Sequence, residues 1–517
     1  MSKQDKIQEH DKQVLHKMGY AQELSRRMSG FSNFAISFSI ICILAGGITA
    51  FPFALSSTGG GGVAIGWLVG GTFALIVSFA MGQIASSYPT AGGLYHWGSI
   101  LGGRAWGWVT AWFNLLGLVF VISSVDGGLF QLFRDLIVHG IFNVDVSAAT
   151  WQATTAGSGL IWLAGMAFFI VTHAAINHFS IRWTTILTDI SGYWILAVSI
   201  LLTISLLVFS PVPLDLSRLT TFTNFSGDAG GGVVPPTNNM LYGFVLGLIL
   251  VIYTITGYDA SAHTSEETHD AQVNVPKGMW QAVFYSMIFG FFMVSTFVLV
   301  MPSVEEGAAQ GWNVFYWLME SSKMPDWWRY VLYVGIVGAN YLCGLACVTS
   351  CSRMMYAFAR DEGLPFSKVL ANVSVQYRVP VVSVWVSAAL AFLSCLYGGA
   401  FLVLATGCVV FLYISYVIPV AVGIFAEGKT WKEKGPFNLG VFSKPNAVLA
   451  IIGGLILAWV GFQPPNQLVG YLLVGLIVFL AILWFASENK RFQGVPEGDR
   501  IKQRQKMIAE IEKKYKD

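Results

Sequence analysis

The chain has 517 residues, 55% of them hydrophobic and only 11% charged, with a mean hydropathy of +0.62. A soluble domain carries about 25% charged residues, so this composition excludes a soluble protein and points to a polytopic membrane protein. The formal net charge is only +2, and no nucleic-acid partner is expected.

The first thirty residues are hydrophilic and show no signal peptide, so the first long apolar segment is expected to direct insertion itself. A span needs about 20 apolar residues. Twelve are expected, at about 31–57, 63–86, 106–133, 157–177, 184–209, 240–265, 279–302, 328–358, 380–397, 400–426, 446–463 and 467–487. The ninth and tenth need a very tight turn at Tyr397-Gly398-Gly399. With the N-terminus inside, 26 of the 30 Lys and Arg fall in inner segments. Outer segments hold only Arg134, Arg218, Lys323 and Arg329, and the positive-inside rule then puts both termini in the cytoplasm. The membrane is read as the cell or plasma membrane. The 55 glycines suit close helix packing in lipid.

Span 1 carries Gly46-Gly47-Ile48-Thr49 ahead of Pro52, a poor continuous helix. Span 6 carries Thr254-Ile255-Thr256-Gly257 at a comparable depth. Interrupted segments at corresponding places in two halves point to a transporter built from inverted repeats. Amide groups freed around Ala45, Gly46, Gly47, Ile48 and Thr49 are expected to bind an anionic group of the substrate. Carbonyls freed around Thr254, Thr256 and Gly257 are expected to receive an ammonium.

Asp126, Asp189 and Asp259 are the acids within the spans, and His173 and His263 the only candidate cations. Carboxylates in lipid are costly, which favours a substrate bearing an ammonium, a coupling cation, or both. Asp259 follows the span 6 break by two residues and is the acid read as functional. Glu266 and Glu267, at the inner end of span 6, are expected to pair with Arg26, Arg27 or Arg353 as an inner gate. Six cysteines lie in apolar runs and read as packing residues, with no disulfide framework or zinc spacing, although Cys343, Cys347 and Cys351 line one helix face. There is no metalloprotease, serine-hydrolase or paired-metal motif, so no enzyme is expected.

Four stretches carry a family resemblance. They are Phe31-Ser32-Asn33-Phe34-Ala35-Ile36-Ser37, Ser87-Tyr88-Pro89-Thr90-Ala91-Gly92-Gly93, Gly257-Tyr258-Asp259-Ala260-Ser261-Ala262-His263, and Tyr356-Ala357-Phe358-Ala359-Arg360-Asp361. With these the chain resembles the amino acid–polyamine–organocation superfamily over about residues 18–490. It is most similar to the amino acid/choline transporter branch, which includes GABA and choline permeases and bidirectional amino acid transporters. The resemblance implies an all-α fold with the five-plus-five inverted repeat of the bacterial leucine transporter, plus two extra helices. The parts are then a cytoplasmic segment 1–30, a core 31–426 made of repeats 31–209 and 240–426, spans 11–12 at 446–487, and a cytoplasmic tail 488–517. It implies that Tyr253 caps the substrate, that Asp259 sits where some relatives carry a coupling glutamate, and that Thr349 and Ser350, with Ala45 and Ile48, lie near a sodium position. Some proton-driven relatives carry a lysine in span 5. Asp189-Ile190-Ser191-Gly192-Tyr193 has none, so the coupling ion stays open between Na+, H+ at another site, and plain exchange.

The function these readings favour is secondary transport of an amino acid or small amine such as GABA by alternating access, with no cofactor. The alternatives are a choline, polyamine or nucleobase transporter of the same fold, or a nutrient sensor that does not translocate.

Overall fold

The computed structural model describes residues 3–515 apart from 155–156, 180 and 397–399. The expected tight turn at Tyr397-Gly398-Gly399 therefore lies outside the described residues. Among the described residues ten helices are long and apolar enough to cross a membrane, and two shorter apolar ones, Met240–Thr254 and Val381–Ser394, complete the expected set. A two-stranded ribbon, Ala153–Thr154 with Gly157–Ser158, sits in the loop between spans 3 and 4.

Span 1 is two helices, Gly30–Ile41 and Ile43–Thr49. The following helix, Phe51–Ser87, begins with Pro52 in its first turn and is interrupted at Thr58 and Gly59, where span 2 starts. Span 3 is Arg104–Leu132, span 4 Leu160–Phe179 and span 5 Ile181–Val208. Span 6 is Met240–Gly247 and Ile249–Thr254, then a break, then Ala260–His263. Span 7 is Ala271–Val300, span 8 Asp326–Arg360, span 9 Val381–Ser394 and span 10 Ala400–Ala426. Spans 11 and 12 are Ser443–Val460 and Gln467–Leu483.

Packing pairs recur between the halves. Span 3 packs on spans 9 and 10 as span 8 packs on spans 4 and 5. Span 2 packs on span 6 as span 7 packs on span 1. An inverted repeat of five-span halves requires this recurrence. Span 1 is the centre, with 89% of its most apolar window buried, against 28% and 22% for spans 11 and 12 at the rim. The rim presents Leu455, Tyr471 and Ile482 outward, the side chains a lipid-facing surface needs.

Both chain ends lie on one face. The sequence allows a tail helix on the membrane surface, but the helix Asp499–Lys513 packs on the N-terminal helix Lys3–Lys17. His16 Nε2 lies 2.7 Å from Glu512 Oε1, and Gln22 N–H donates to the same oxygen at 2.9 Å. Burial disfavours charge on Glu512, but the Gln22 amide, His16 and Lys12 outweigh it and hold the carboxyl below its ordinary value. The folded value is the lower one. Docking is therefore intact above the ordinary glutamate range and is lost as pH falls through the lowered value. Glu512→Gln should release the tail at neutral pH, read as faster proteolysis within 499–513 with transport spans intact.

On the opposite face the connection 210–239 folds down onto the start of span 2. Thr221 O accepts from Gly61 N–H at 2.9 Å, and Gly230 O accepts from Ser56 Oγ at 3.0 Å.

Candidate substrate site and the seal beneath it

Where the two broken spans meet there is a cavity of about 20 Å³. Ile40, Ile41, Ala45 and Gly46 of span 1 form one wall. Tyr253, Thr254 and Thr256 of span 6 form a second, and Val121 and Val125 of span 3 with Cys408 of span 10 complete it. Such a volume has room for about one water, so a larger solute enters only if the walls separate.

Of the expected substrate residues, Ala45, Gly46, Tyr253, Thr254 and Thr256 line this cavity, and Gly47, Ile48, Thr49, Gly257 and Asp259 do not. Gly47 faces span 7, where an added Cβ would lie 2.9 Å from Met293 Cε. Thr49 Oγ1 donates to Ala45 O at 2.9 Å. Ile40, Ile41, Val121, Val125 and Cys408 are additions. Only the i, i+4 spacing of Val121 and Val125 marks any of them in the sequence.

The break in span 1 also falls elsewhere than expected. Gly46 and Gly47 are helical, and the amides of Ala45 and Gly46 donate to Cys42 O at 2.9 and 3.2 Å. The chain leaves the helix at Cys42, with φ 7° and ψ 91°. Two glycines in a helix cost only about 1 kcal/mol each, and close packing offsets that. At the break, span 8 supplies the partner: Cys343 Sγ–H donates to Ile40 O at 3.3 Å. In span 6 the break is where the sequence places it. Gly257 has φ +91°, which favours glycine, and an added Cβ would lie 2.2 Å from Ile40 Cγ2. The two breaks therefore touch at Ile40 and Gly257.

Asp259 is wholly buried and lies behind the cavity wall. Its Oδ1 accepts from Tyr416 O–H at 2.8 Å, its Oδ2 accepts from Asn114 Nδ2 at 3.0 Å, and His263 Nε2 lies 3.1 Å from Oδ2. The same Tyr416 hydroxyl oxygen, Oη, accepts from Gly257 N–H at 3.2 Å. In this arrangement the carboxylate braces the span 6 break from behind the wall.

Thr349 and Ser350 are buried in span 8. Thr349 Oγ1 donates to Asn177 Oδ1 at 2.7 Å. It lies six residues beyond Cys343, about 9 Å along the helix, away from the break.

A seal closes the face that carries both termini. Glu267 accepts two bonds from Arg353, at 3.0 and 3.3 Å, and both side chains are wholly buried. Glu266 accepts two from Arg360, at 2.8 and 2.9 Å, and one from Ala91 N–H at 3.0 Å. Arg26 does not pair with either glutamate. It lies 3.7 Å from Asp11 and donates to the carbonyls of Ser265 and Thr268. Arg27 N–H and Met28 N–H donate to Glu267 O at 2.9 and 2.8 Å, so backbone stitches the segment before span 1 to the end of span 6. Arg360 is a partner of Glu266 that the sequence reading missed. Its guanidinium lies 3.9 Å from the Tyr20 ring centroid, and Tyr20 O–H donates to Asp361 at 2.6 Å. Arg504 of the tail donates to Asp361 at 2.8 Å, which ties the C-terminal helix to the seal.

Twelve helical spans around a broken-helix cavity, shut on one face by buried ion pairs, define a multi-pass membrane permease. A family model described as amino acid permease matches residues 28–487. Amino-acid permease BAT1 of Arabidopsis thaliana is 34% identical over 465 residues, covering 86% of each chain. Its homolog in Oryza sativa subsp. japonica is 35% identical over 444 residues, 82% of each. Amino-acid permease 2 of Neurospora crassa is 23% identical over 93% of this chain and 88% of its own. The chain belongs to the amino acid permease family, within the superfamily its motifs resemble, and is a transport protein rather than an enzyme.

Proposed function

We propose that the protein is a secondary transporter of amino acids that works by alternating access, as a symporter or exchanger. The observation that carries this reading is the cavity at the meeting point of the two broken spans. It is too small for an amino acid as it stands, and ion pairs between spans 6 and 8 shut it off from one face. A site that must open, and a seal made of separable pairs, suit alternating access. The 26 of 30 basic residues on the expected inner segments support a cytoplasmic orientation of the sealed face.

No charged side chain lines the cavity. A zwitterion such as an α-amino acid or GABA, with no net charge to neutralise, suits it better than choline or a polyamine. Ile255 O, freed by the break, accepts from Tyr413 O–H at a long 3.3 Å.

The test is counterflow and uptake of labelled amino acids, GABA, choline and putrescine in proteoliposomes. Exchange of a zwitterion supports the reading. Saturable binding without exchange indicates a sensor, and preference for a pure cation overturns the substrate class. Gly46→Ala should reduce exchange by about tenfold or more, an effect of about 1.4 kcal/mol, because the new Cβ would lie 2.6 Å from Thr254 Oγ1. Normal kinetics in that variant would remove Gly46 from the site.

A further inference from the structure

A second buried acid–base pair stands apart from the cavity and the seal. Asp126 of span 3 and His173 of span 4 are both wholly buried, with His173 Nδ1 3.3 Å from Asp126 Oδ1. The two are not aligned for a hydrogen bond. Both carboxylate oxygens and both ring nitrogens lack a hydrogen-bond partner. Buried polar atoms are nearly always satisfied, and each exception calls for a reason. Here four exceptions meet at one place inside a membrane protein, where unpaired polar atoms cost most.

Span 8 packs directly over the pair. A Cβ on Gly344 would lie 2.5 Å from Asp126 Oδ1 and 2.5 Å from His173 Cε1, so only glycine allows this contact. The Tyr341 ring centroid lies 4.4 Å from that of His173. The titratable groups facing Asp126 are Tyr341, Cys343 and Cys347 of span 8 and Cys395 at the end of span 9. Among the described residues neither member forms an ion pair with any other group.

The pair does not line the cavity but lies one residue along span 3 from its wall. Val125, next to Asp126, is in the cavity wall, and Tyr253 lies within electrostatic reach of Cys343 and Cys347. Asn177, one turn beyond His173, donates to His173 O at 3.0 Å and to Leu345 O at 3.2 Å, and accepts from Thr349. A change at the pair is therefore felt by spans 3, 4 and 8 together.

We propose that Asp126 and His173 form the proton-binding site that couples transport to a pH gradient. Empty, the pair is a carboxylate and a neutral imidazole, and it takes up one proton, which the two groups hold between them as carboxylic acid and neutral imidazole. The change is one positive charge beside the cavity, at the contact where span 8 bears on spans 3 and 4. Sodium does not suit the site. Hard cations want several oxygen ligands, and here one carboxylate faces an imidazole. This proposal rests on the transporter reading above for its link to substrate, but not for proton binding itself.

The experiment pairs two measurements on wild type, Asp126→Asn and His173→Gln in proteoliposomes. In the first, an acid-outside gradient is imposed at clamped membrane potential, and accumulation is compared with counterflow at equal pH. One coupled proton supports about tenfold accumulation per pH unit. The wild type should approach this, and both variants should only equilibrate while retaining counterflow. Accumulation in the variants at the wild-type ratio, or wild-type accumulation driven by sodium and indifferent to pH, overturns the proposal. In the second, infrared difference spectra across a pH titration are recorded without substrate. A protonated-carboxyl band that titrates in the wild type and is missing in Asp126→Asn supports the site even if no amino acid is exchanged. Absence of the band in the wild type overturns it. Failure of counterflow in the wild type, with the band present, overturns the transporter reading alone.

Discussion

Arg353→Met destabilises the protein by about 3–5 kcal/mol, because removing one partner of a buried pair strands the other as an unpaired charge. Arg353 and Glu267 are wholly buried, and Arg353 donates both Nε and Nη2 to the carboxylate. The loss is largest for Glu267 because its oxygens have no water to fall back on. Replacing both members should behave differently. A buried pair exchanged for apolar side chains of similar size is often neutral or better, so Arg353→Met with Glu267→Met should melt close to wild type. The double-mutant cycle therefore gives a coupling of several kcal/mol, the sign of residues in direct contact. Function separates from stability here. An apolar seal has no charges for water to rehydrate when it opens, so the double variant should be stable yet slow in counterflow. The check is thermal melting of purified protein with counterflow measured alongside. A single variant that melts with the wild type would remove the pair from the seal. The Glu266–Arg360 pair should show a smaller version of the same pattern, since Arg360 is 10% exposed.

The spans were legible because length and hydropathy are local properties. Every expected span meets a helix within several residues, although Met240–Thr254 and Val381–Ser394 are short. The span 6 break was legible too, because Gly257 needs a backbone angle that other residues resist. The span 1 break was not. Gly46-Gly47 is the obvious weak point in the sequence, yet it stays helical, while the chain opens at Cys42. What permits that opening is Cys343 of span 8, 303 residues from Ile40, and no local pattern carries it. The surroundings of Asp259 were hidden for the same reason. Its partners Asn114 and Tyr416 lie 145 and 157 residues away, so an isolated acid in the sequence is a satisfied one in the fold. The gate glutamates were legible as charges at a span end, but the choice of Arg360 over Arg26 for Glu266 depends on how span 8 exits beside span 6. The polarity of Asp126 and His173 was visible in the sequence. Their meeting, and their lack of other partners, was not.

Gly257→Ala should abolish most transport and also lower stability. Two costs combine at this residue. An L side chain at φ +91° adopts a sparsely populated conformation, at about 1–3 kcal/mol. Its Cβ would also lie 2.2 Å from Ile40 Cγ2, far inside van der Waals contact. Ile40 cannot simply withdraw, since it is wholly packed two residues before the Cys42 break and its carbonyl accepts from Cys343. The clash is therefore relieved by pushing the two breaks apart, which moves Ile40 and Thr256 on opposite walls of the cavity. Counterflow should fall by more than about tenfold, the effect of about 1.4 kcal/mol at the site. Ile40→Ala alone removes packing and should cost about 2–5 kcal/mol, as core truncations do. In the Gly257→Ala background the same truncation removes the 2.2 Å contact, so the double variant should melt below Ile40→Ala alone by only the φ cost, less than the two single losses together, and regain part of the lost counterflow. The φ cost stays, so recovery is incomplete. Strictly additive losses in melting and counterflow would show that the two breaks do not bear on each other, and would separate Gly257 from the shape of the cavity.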